Sequence, residues 1–269
     1  MSTLTPDLQP EASPSLNIAA VQLAIRWLDK SGNLTRLEQL LQGLPPVDLI
    51  VLPETFATGF AVKEKCDEPE SGGEVLGWMK AQAVNRNAVV AGSILVEIKD
   101  KTFNRFYWVH PDGSVDYYDK RHLFRLAGEH KYIGQGNQRK IFTVKGVRVL
   151  PQVCYDLRFP VWSRCRNDYD LAIYIANWPS MRRGAWDSLL KARAIENQAF
   201  VIGVNRVGDD GNGVPHSGGS CVIDYSGNVL DCAPDGEEKI LIKTLNLQEQ
   251  LNFRHAFPFA DDADEFEIL

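Results

Sequence analysis

Thr102-Phe-Asn-Arg-Phe-Tyr-Trp-Val-His110, then Pro111-Asp112-Gly113, then Val115-Asp-Tyr-Tyr118, is the stretch whose reading decides the fold. β-Branched and aromatic residues fill two short runs. Between them, Pro fixes φ, Asp offers a side-chain acceptor and Gly tolerates positive φ, which makes a tight turn. The spacing predicts a β-hairpin. Hairpins join antiparallel neighbours, which a plain alternation of strand and crossover helix does not produce.

Outward from this hairpin, apolar runs and helix-like stretches alternate along the chain. Toward the N-terminus, 88–95 reads as a strand, 73–86 as a helix and 47–53 as an apolar strand buried on both faces. Residues 33–41 suit an amphipathic helix with Leu34, Leu37, Leu40 and Leu41 facing inward, and 16–23 suits a strand. Toward the C-terminus, 141–144 and 147–154 pair about Lys145-Gly146, and 170–176 is a buried strand. A helix over 186–198 leads into a strand over 199–205. Residues 219–224 and 228–233 form a hairpin about Tyr225-Ser226-Gly227, and 240–245 is the last strand. Strands in this number, several in hairpins, favour an α/β architecture of two packed mixed sheets covered by helices over one doubly wound sheet. Pro151 is the local oddity: it cannot donate to a ladder, so a bulge or an unpaired segment is expected there. A bulge at that point could re-aim Cys154.

At 269 residues, 44% hydrophobic and 24% charged, the chain has a globular composition. No internal repeat, low-complexity block or Gly/Ser linker divides it. One domain over 16–269 is expected, after a disordered arm at 1–15. The acidic, aromatic tail at 261–269 is either disordered or docked on a partner subunit. No apolar run is long enough to cross a bilayer. The N-terminal stretch lacks the basic start and apolar core of a secretory signal, so the cytoplasm is the expected compartment. A formal charge of −6 without a basic stripe argues against nucleic acid. The five cysteines (Cys66, Cys154, Cys165, Cys221 and Cys232) include no Cys-x-x-Cys pair, so neither a disulfide framework nor a structural zinc site is expected, and at least one thiol is free. His122 and His130 read as solvated loop histidines, and no metal is expected. Neither a Gly-x-Ser-x-Gly elbow nor a phosphate-binding Gly-x-x-x-x-Gly-Lys loop is present, and Gly134-Gln-Gly136 is an isolated turn. No cofactor is expected.

Three reactive side chains stand where apolar strands end: Glu54 after Leu49-Ile50-Val51-Leu52-Pro53, Lys120 just past 115–118, and Cys154 at the end of 147–153. In α/β sheets ligand sites gather beyond the carboxyl ends of strands. A thiol must lose its proton to act as a nucleophile. Glu54 could accept that proton, Lys120 could stabilise thiolate and oxyanion, and the Tyr155 N–H would be a second oxyanion donor. Glu54 would then protonate the departing ammonia and activate water against the thioester. Taken singly, each residue also has an ordinary reading: a buried apolar cysteine, a helix-start acid, a charged turn.

The motifs around them decide between the readings. Leu52-Pro-Glu-Thr-Phe56, Tyr118-Asp-Lys-Arg-His-Leu-Phe124 and Val153-Cys-Tyr-Asp-Leu-Arg-Phe-Pro160 resemble, in order and spacing, the Glu-Lys-Cys triad motifs of the nitrilase superfamily. Gly128-Glu129, Ala176-Asn177-Trp178-Pro179 and Lys191-Ala-Arg-Ala-Ile-Glu-Asn-Gln198 support the resemblance, which runs from Leu16 to about Leu247. It implies a four-layer αββα sandwich, usually paired through helices into a homodimer. It also implies that Glu129 helps hold the lysine or the attacking water, and that Asn177 and Trp178 shape the substrate pocket, ordinary packing being the other reading of Trp178. Cys154-Tyr155-Asp156 differs from the Cys-Trp-Glu of nitrile-hydrolysing members. With Ala-Asn-Trp-Pro it is most similar to the omega-amidases, which cleave the terminal amide of short keto-acid amides such as 2-oxoglutaramate. Hydrolysis of N-carbamoyl amides is the nearest alternative, and a non-catalytic binding scaffold is the alternative from another class. A substrate with a free carboxylate calls for a guanidinium. Arg158 resembles the arginine that binds substrate carboxylate in the carbamoylase branch, a structural pair with Asp156 or a glutamate being its other reading; Arg182 and Arg183 are the next candidates. The mechanism further predicts an accessible Cys154 thiol of low pKa.

Overall fold

A computed structural model describes residues 14–64, 68–70 and 72–268. In chain order the elements are β1 (Ser15–Gln22), α1 (Lys30–Leu41), β2 (Leu49–Val51), β3 (Glu68–Pro69), α2 (Glu74–Arg86), β4 (Val89–Ile98), β5 (Lys101–Val109) and β6 (Val115–Asp119). They continue with β7 (Phe142–Val144), β8 (Val147–Val153), the single turn α3 (Pro160–Ser163), β9 (Leu171–Ala176), α4 (Arg183–Asn197), β10 (Phe200–Asn205), β11 (Val207–Asp209) and β12 (Pro215–Ser217). The last are β13 (Cys221–Ile223), β14 (Val229–Cys232), β15 (Lys239–Asn246) and α5 (Leu247–Ala256).

The deciding hairpin forms as β5 and β6, with Tyr107 opposite Tyr117 and Trp108 opposite Asp116. β5 is also the second arm of a longer hairpin with β4, closed at Lys99 (φ 48°) and Asp100 (φ 64°). Two successive left-handed residues match the right-handed strand twist, but Lys-Asp lacks the usual Asn-Gly signature, so this hairpin was not anticipated. Among the described residues one sheet runs β15-β1-β2-β4-β5-β6, with β3 on β4, and the other runs β14-β13-β10-β9-β8-β7. In each, three central strands are parallel and the strands beyond them antiparallel, apart from the short β3, which pairs with β4 in parallel. Both sheets are mixed, as expected.

The layers follow from which face each residue presents. Leu16, Ile18, Leu49, Val51, Phe106 and Trp108 of the first sheet meet Val149, Val153, Ile173, Ile175 and Ile202 of the second in the central core. The alternate residues Ala19, Val21, Ile50 and Val90 pack under α1 and α2 through Leu34, Leu37, Leu41, Val75 and Met79. On the opposite side Leu150, Ala172, Tyr174 and Val201 pack under α4 through Trp186, Leu190 and Ala194. This is the four-layer αββα sandwich. The Asp29 side chain caps α1 by accepting from Gly32 N–H, and that of Asn246 caps α5.

Several expectations need correction. The strand read over 47–53 is regular only from Leu49 to Val51, and α4 starts at Arg183, before Trp186. The short β11–β12 ribbon and α5 were not anticipated. The bulge expected at Pro151 is absent: β8 pairs with β9 without a register shift, Pro151 opposite Ile173. Arg148 C=O accepts from Asp170 N–H on the β9 side, so alternation points the Pro151 nitrogen toward β7. There pairing stops at Val149, and the missing donor costs no ladder bond. The arm at 1–15 falls, over 1–13, outside the described residues, and Ser15 already belongs to β1. The tail touches its own chain: Arg166 donates to Phe266 C=O at 2.9 Å and lies over its ring. No helix among the described residues is long and apolar enough to cross a membrane.

Candidate active site

β2 and β8 are parallel central strands of facing sheets, and each hands a reactive residue to the chain just past its carboxyl end. After Glu54 the chain turns at Thr55, whose φ of 44° is unusual for a β-branched residue. The Ser93 hydroxyl accepts Thr55 N–H at 2.9 Å and holds that turn. Cys154 itself has φ 47° and opens a 3-10 turn, Cys154–Arg158. Such backbone costs about 1–3 kcal/mol and persists only where its surroundings fix it. Here Asp156, fully buried, does the fixing. Its carboxylate accepts from Val153 N–H (3.0 Å), Tyr118 Oη (2.9 Å), His122 N–H (2.9 Å) and His122 Nδ1 (2.7 Å). The cysteine turn is thereby fastened to the segment that carries Lys120.

Lys120 Nζ donates to Glu54 Oε1 at 3.0 Å and to Glu129 Oε1 and Oε2 at 2.9 and 3.2 Å. All three side chains are at most 1% exposed. Glu54 Oε1 also accepts from Asn104 Nδ2 at 2.8 Å, and its Oε2 accepts Asn177 N–H at 2.8 Å. Glu129 Oε2 accepts Phe124 N–H at 2.5 Å. Burial alone would lower the Lys120 pKa, but Glu129, Glu54 and Cys154 outweigh it and hold the ammonium above its usual range. Burial raises the Glu129 pKa, with Lys120 opposing and Glu54 adding. Cys154 is half-buried, its Sγ 4.0 Å from Asn177 C=O. Burial pushes its thiol well up and the neighbouring Glu54 adds to that, Lys120 compensating only in part. The expectation of a low-pKa thiol is therefore corrected. Two carboxylates already face one ammonium, and a resting thiolate would add a further negative charge. Such a site can take the proton from sulfur at the moment of attack.

The three residues meet at a cavity of about 510 Å³, walled by Phe60, Phe124, Tyr155, Trp178, Met181 and the β11–β12 ribbon at Val214 and His216. The Tyr155 N–H lies in the first turn after Cys154, where such groups lack an acceptor inside the turn. Arg158 reaches the cavity and lies 4.8 Å over the Trp178 ring; the alternative pair with Asp156 does not form, since that carboxylate is taken by other donors. Arg182 also lines the cavity, 5.3 Å over Phe124. Neither guanidinium meets a carboxylate among the described residues. Arg183 is not brought to the site: it pairs outside with Asp187 and Asp235, both at 2.7 Å. Asn177 lines the cavity, and its amide nitrogen donates to Glu54 C=O (2.8 Å) and Thr55 Oγ1 (3.0 Å), which ties it to the carboxylate's loop. Trp178 lines the cavity and packs against Trp186, with ring centroids 5.4 Å apart. His122 is engaged with Asp156 and stacked on Phe159 at 3.8 Å. Asn104, Ser93 and Asp156 were missed as supports of the site; Asp156 alone left a signal, its place two residues beyond the nucleophile.

A thiol, a carboxylate and a buried ammonium, gathered at the strand ends of a four-layer sandwich, define a class: hydrolases that act on carbon–nitrogen bonds. Residues 17–253 match the family model described as Carbon-nitrogen hydrolase, and the chain belongs to that family. It is 46% identical over 256 residues to omega-amidase YafV of Yersinia enterocolitica, covering 95% of this chain and 99% of the relative. It is 34% identical over 253 residues to 2-oxoglutaramate amidase of Bacillus subtilis, covering 91% and 96%. Among solved structures, a CN-hydrolase superfamily protein of Xanthomonas campestris with an arsenic adduct in its active site superposes with a TM-score of 0.92 at 40% identity, covering 95% of this chain and 99% of that one. The chain is thus a carbon–nitrogen hydrolase of the amidase kind.

Proposed function

We propose that this enzyme hydrolyses the terminal amide of short keto-acid amides of the 2-oxoglutaramate type, through a thioester on Cys154. The observation that carries the reading is the cavity itself: it is lined by a cysteine, a lysine and a carboxylate and by two guanidiniums, Arg158 and Arg182, that meet no carboxylate among the described residues. The amidase relatives support the same substrate class.

In this reading Glu54 takes the Sγ proton as sulfur attacks the amide carbon. The Lys120 ammonium and the Tyr155 N–H receive the developing oxyanion. The C–N bond breaks as Glu54 passes its proton to nitrogen, and ammonia leaves an acyl-thioester. Glu54 then takes a proton from water, whose oxygen attacks the thioester carbon. The C–S bond breaks, the carboxylic acid leaves and Cys154 is reprotonated. Glu129 positions Lys120, while Asn177 and Asn104 position Glu54. Arg158 and Arg182 hold the substrate's distal carboxylate by charge-assisted hydrogen bonds.

We also read the enzyme as a cytoplasmic homodimer. Four free thiols among the described residues suit a reducing compartment. Val161, Ile195, Leu251 and Phe257 are exposed where α3, the end of α4 and α5 come together, a face that suits a second copy. The test of function is ammonia release from 2-oxoglutaramate, an N-carbamoyl amino acid and a simple nitrile, with Cys154→Ala alongside. Release from the keto-acid amide, lost in the variant, is expected. Turnover of the carbamoyl compound alone would move the enzyme to that branch.

A further inference from the structure

β13 and β14 end the second sheet as a hairpin, and in it Cys221 stands directly opposite Cys232. Ala233 N–H donates to Ser220 C=O at 2.9 Å, the bond just outside the two cysteines that a non-hydrogen-bonded Cys221–Cys232 pair requires, while Ser220 N–H goes to Gln22 Oε1. The neighbouring pair, Cys221 and Cys232, is then of the non-hydrogen-bonded kind, with Cα atoms about 4.5 Å apart and side chains on one face. A disulfide spans Cα separations of about 4.4–6.8 Å. The ladder's irregularity lies beyond, between Val222 and Ile223, so the register at the two cysteines is regular. Both are free thiols, Cys221 buried and Cys232 exposed.

We propose that Cys221 and Cys232 are a redox-active pair that closes into a cross-strand disulfide, a site separate from the amide chemistry. The oxidant is a low-molecular-weight disulfide such as oxidised glutathione. The exposed Cys232 thiolate attacks one of its sulfurs, expelling one thiolate and leaving a mixed disulfide. Cys221 then loses its proton, attacks the Cys232 sulfur and expels the second thiolate. The cysteine pair loses two electrons and two protons, and the small disulfide becomes two thiols. Burial pushes the Cys221 thiol up to about 12, which fixes the order: Cys232 enters and Cys221 resolves. A Cα separation at the short end of the range strains the bond and keeps it reducible, the behaviour of regulatory disulfides. Closure pins edge strand β14 to β13.

The experiment uses the full chain as Cys154→Ala, so that the active-site thiol takes no part. The protein is incubated with oxidised glutathione, blocked with iodoacetamide and cut by chymotrypsin, which can cleave after Tyr225 between the two cysteines. The expected result is that the Cys221 and Cys232 fragments stay joined until a reductant is added. The oxidised protein should also unfold at a higher temperature than the reduced one, a shift absent in Cys232→Ser. Full alkylation of both thiols, a stable glutathione adduct on Cys232 alone, or a link from Cys232 to any other cysteine would overturn the proposal.

Discussion

Glu54, Lys120 and Glu129 are buried together, both carboxylates hydrogen-bonded to the one ammonium. Lys120→Met would strand two carboxylates, and unfolding by denaturant should report a loss of about 3–5 kcal/mol. Glu54→Gln removes the proposed proton acceptor for sulfur; kcat should fall by about 10²–10⁴ with KM little changed. The raised thiol gives a pH signature: alkylation of Cys154 in the free enzyme should keep accelerating as pH rises past 9.0, the ordinary thiol value, and a plateau near neutrality would contradict the account. The signs for stability follow from linkage. Lys120 binds its proton more firmly when folded, so its contribution is complete below its ordinary 10.5 and is lost as pH rises through the folded value. Glu129, also raised, withdraws stability as pH climbs above its ordinary 4.5. At this scale the sequence was legible where a reactive residue ended an apolar run. Asn104 was not legible, because it sits inside β5 and only the β4–β5 and β5–β6 pairings bring it to Glu54. That Asn177 lines the cavity is legible from its place after an apolar strand; that its amide also donates to Glu54 C=O and Thr55 Oγ1 is not, because adjacency does not tell which way an amide points.

Strands and helices were legible where their period was long or their turn chemistry plain. β1, α2, β9 and β10 lie within a residue or two of their predicted bounds, since buried β-branched runs and helical spacing leave few alternatives. β11 and β12, three residues each amid Gly and Asp, carry too little pattern to register, yet the loop they hold and His216 of β12 build one wall of the cavity. The packing of α4 on β10 supplies a prediction for this scale. A Cβ on Gly203 would sit 2.4 Å from Leu190 Cδ1 and 3.0 Å from the Trp186 ring. Gly203→Ala should therefore cost about 1–3 kcal/mol in chemical denaturation, because α4 must shift. Unchanged stability would mean that the helix packs less closely than described.

Two mixed sheets with their parallel strands side by side put the carboxyl ends of β2, β8 and β9 at one mouth, and this convergence turns scattered motifs into a cavity. The sandwich was foreshadowed by the count of hairpins. The cavity wall was not, since Phe60, Phe124, Met181 and His216 come from loops and a short strand far apart in the chain. In the proposed function, recognition of the substrate carboxylate falls to the whole pocket. Arg158→Ala and Arg182→Ala should each raise KM for keto-acid amides about tenfold or more, the loss of a charge-assisted hydrogen bond, while turnover of a short neutral amide is spared. Sedimentation should find a dimer, and Phe257→Asp should weaken it. The most direct test of the central claim is rapid-quench mass spectrometry of the enzyme mixed with 2-oxoglutaramate. The account predicts a transient acyl adduct on the peptide that contains Cys154, decaying as the keto-acid is released and absent in Cys154→Ala. Ammonia release with no adduct on that peptide, or an adduct that persists in Cys154→Ala, would contradict it.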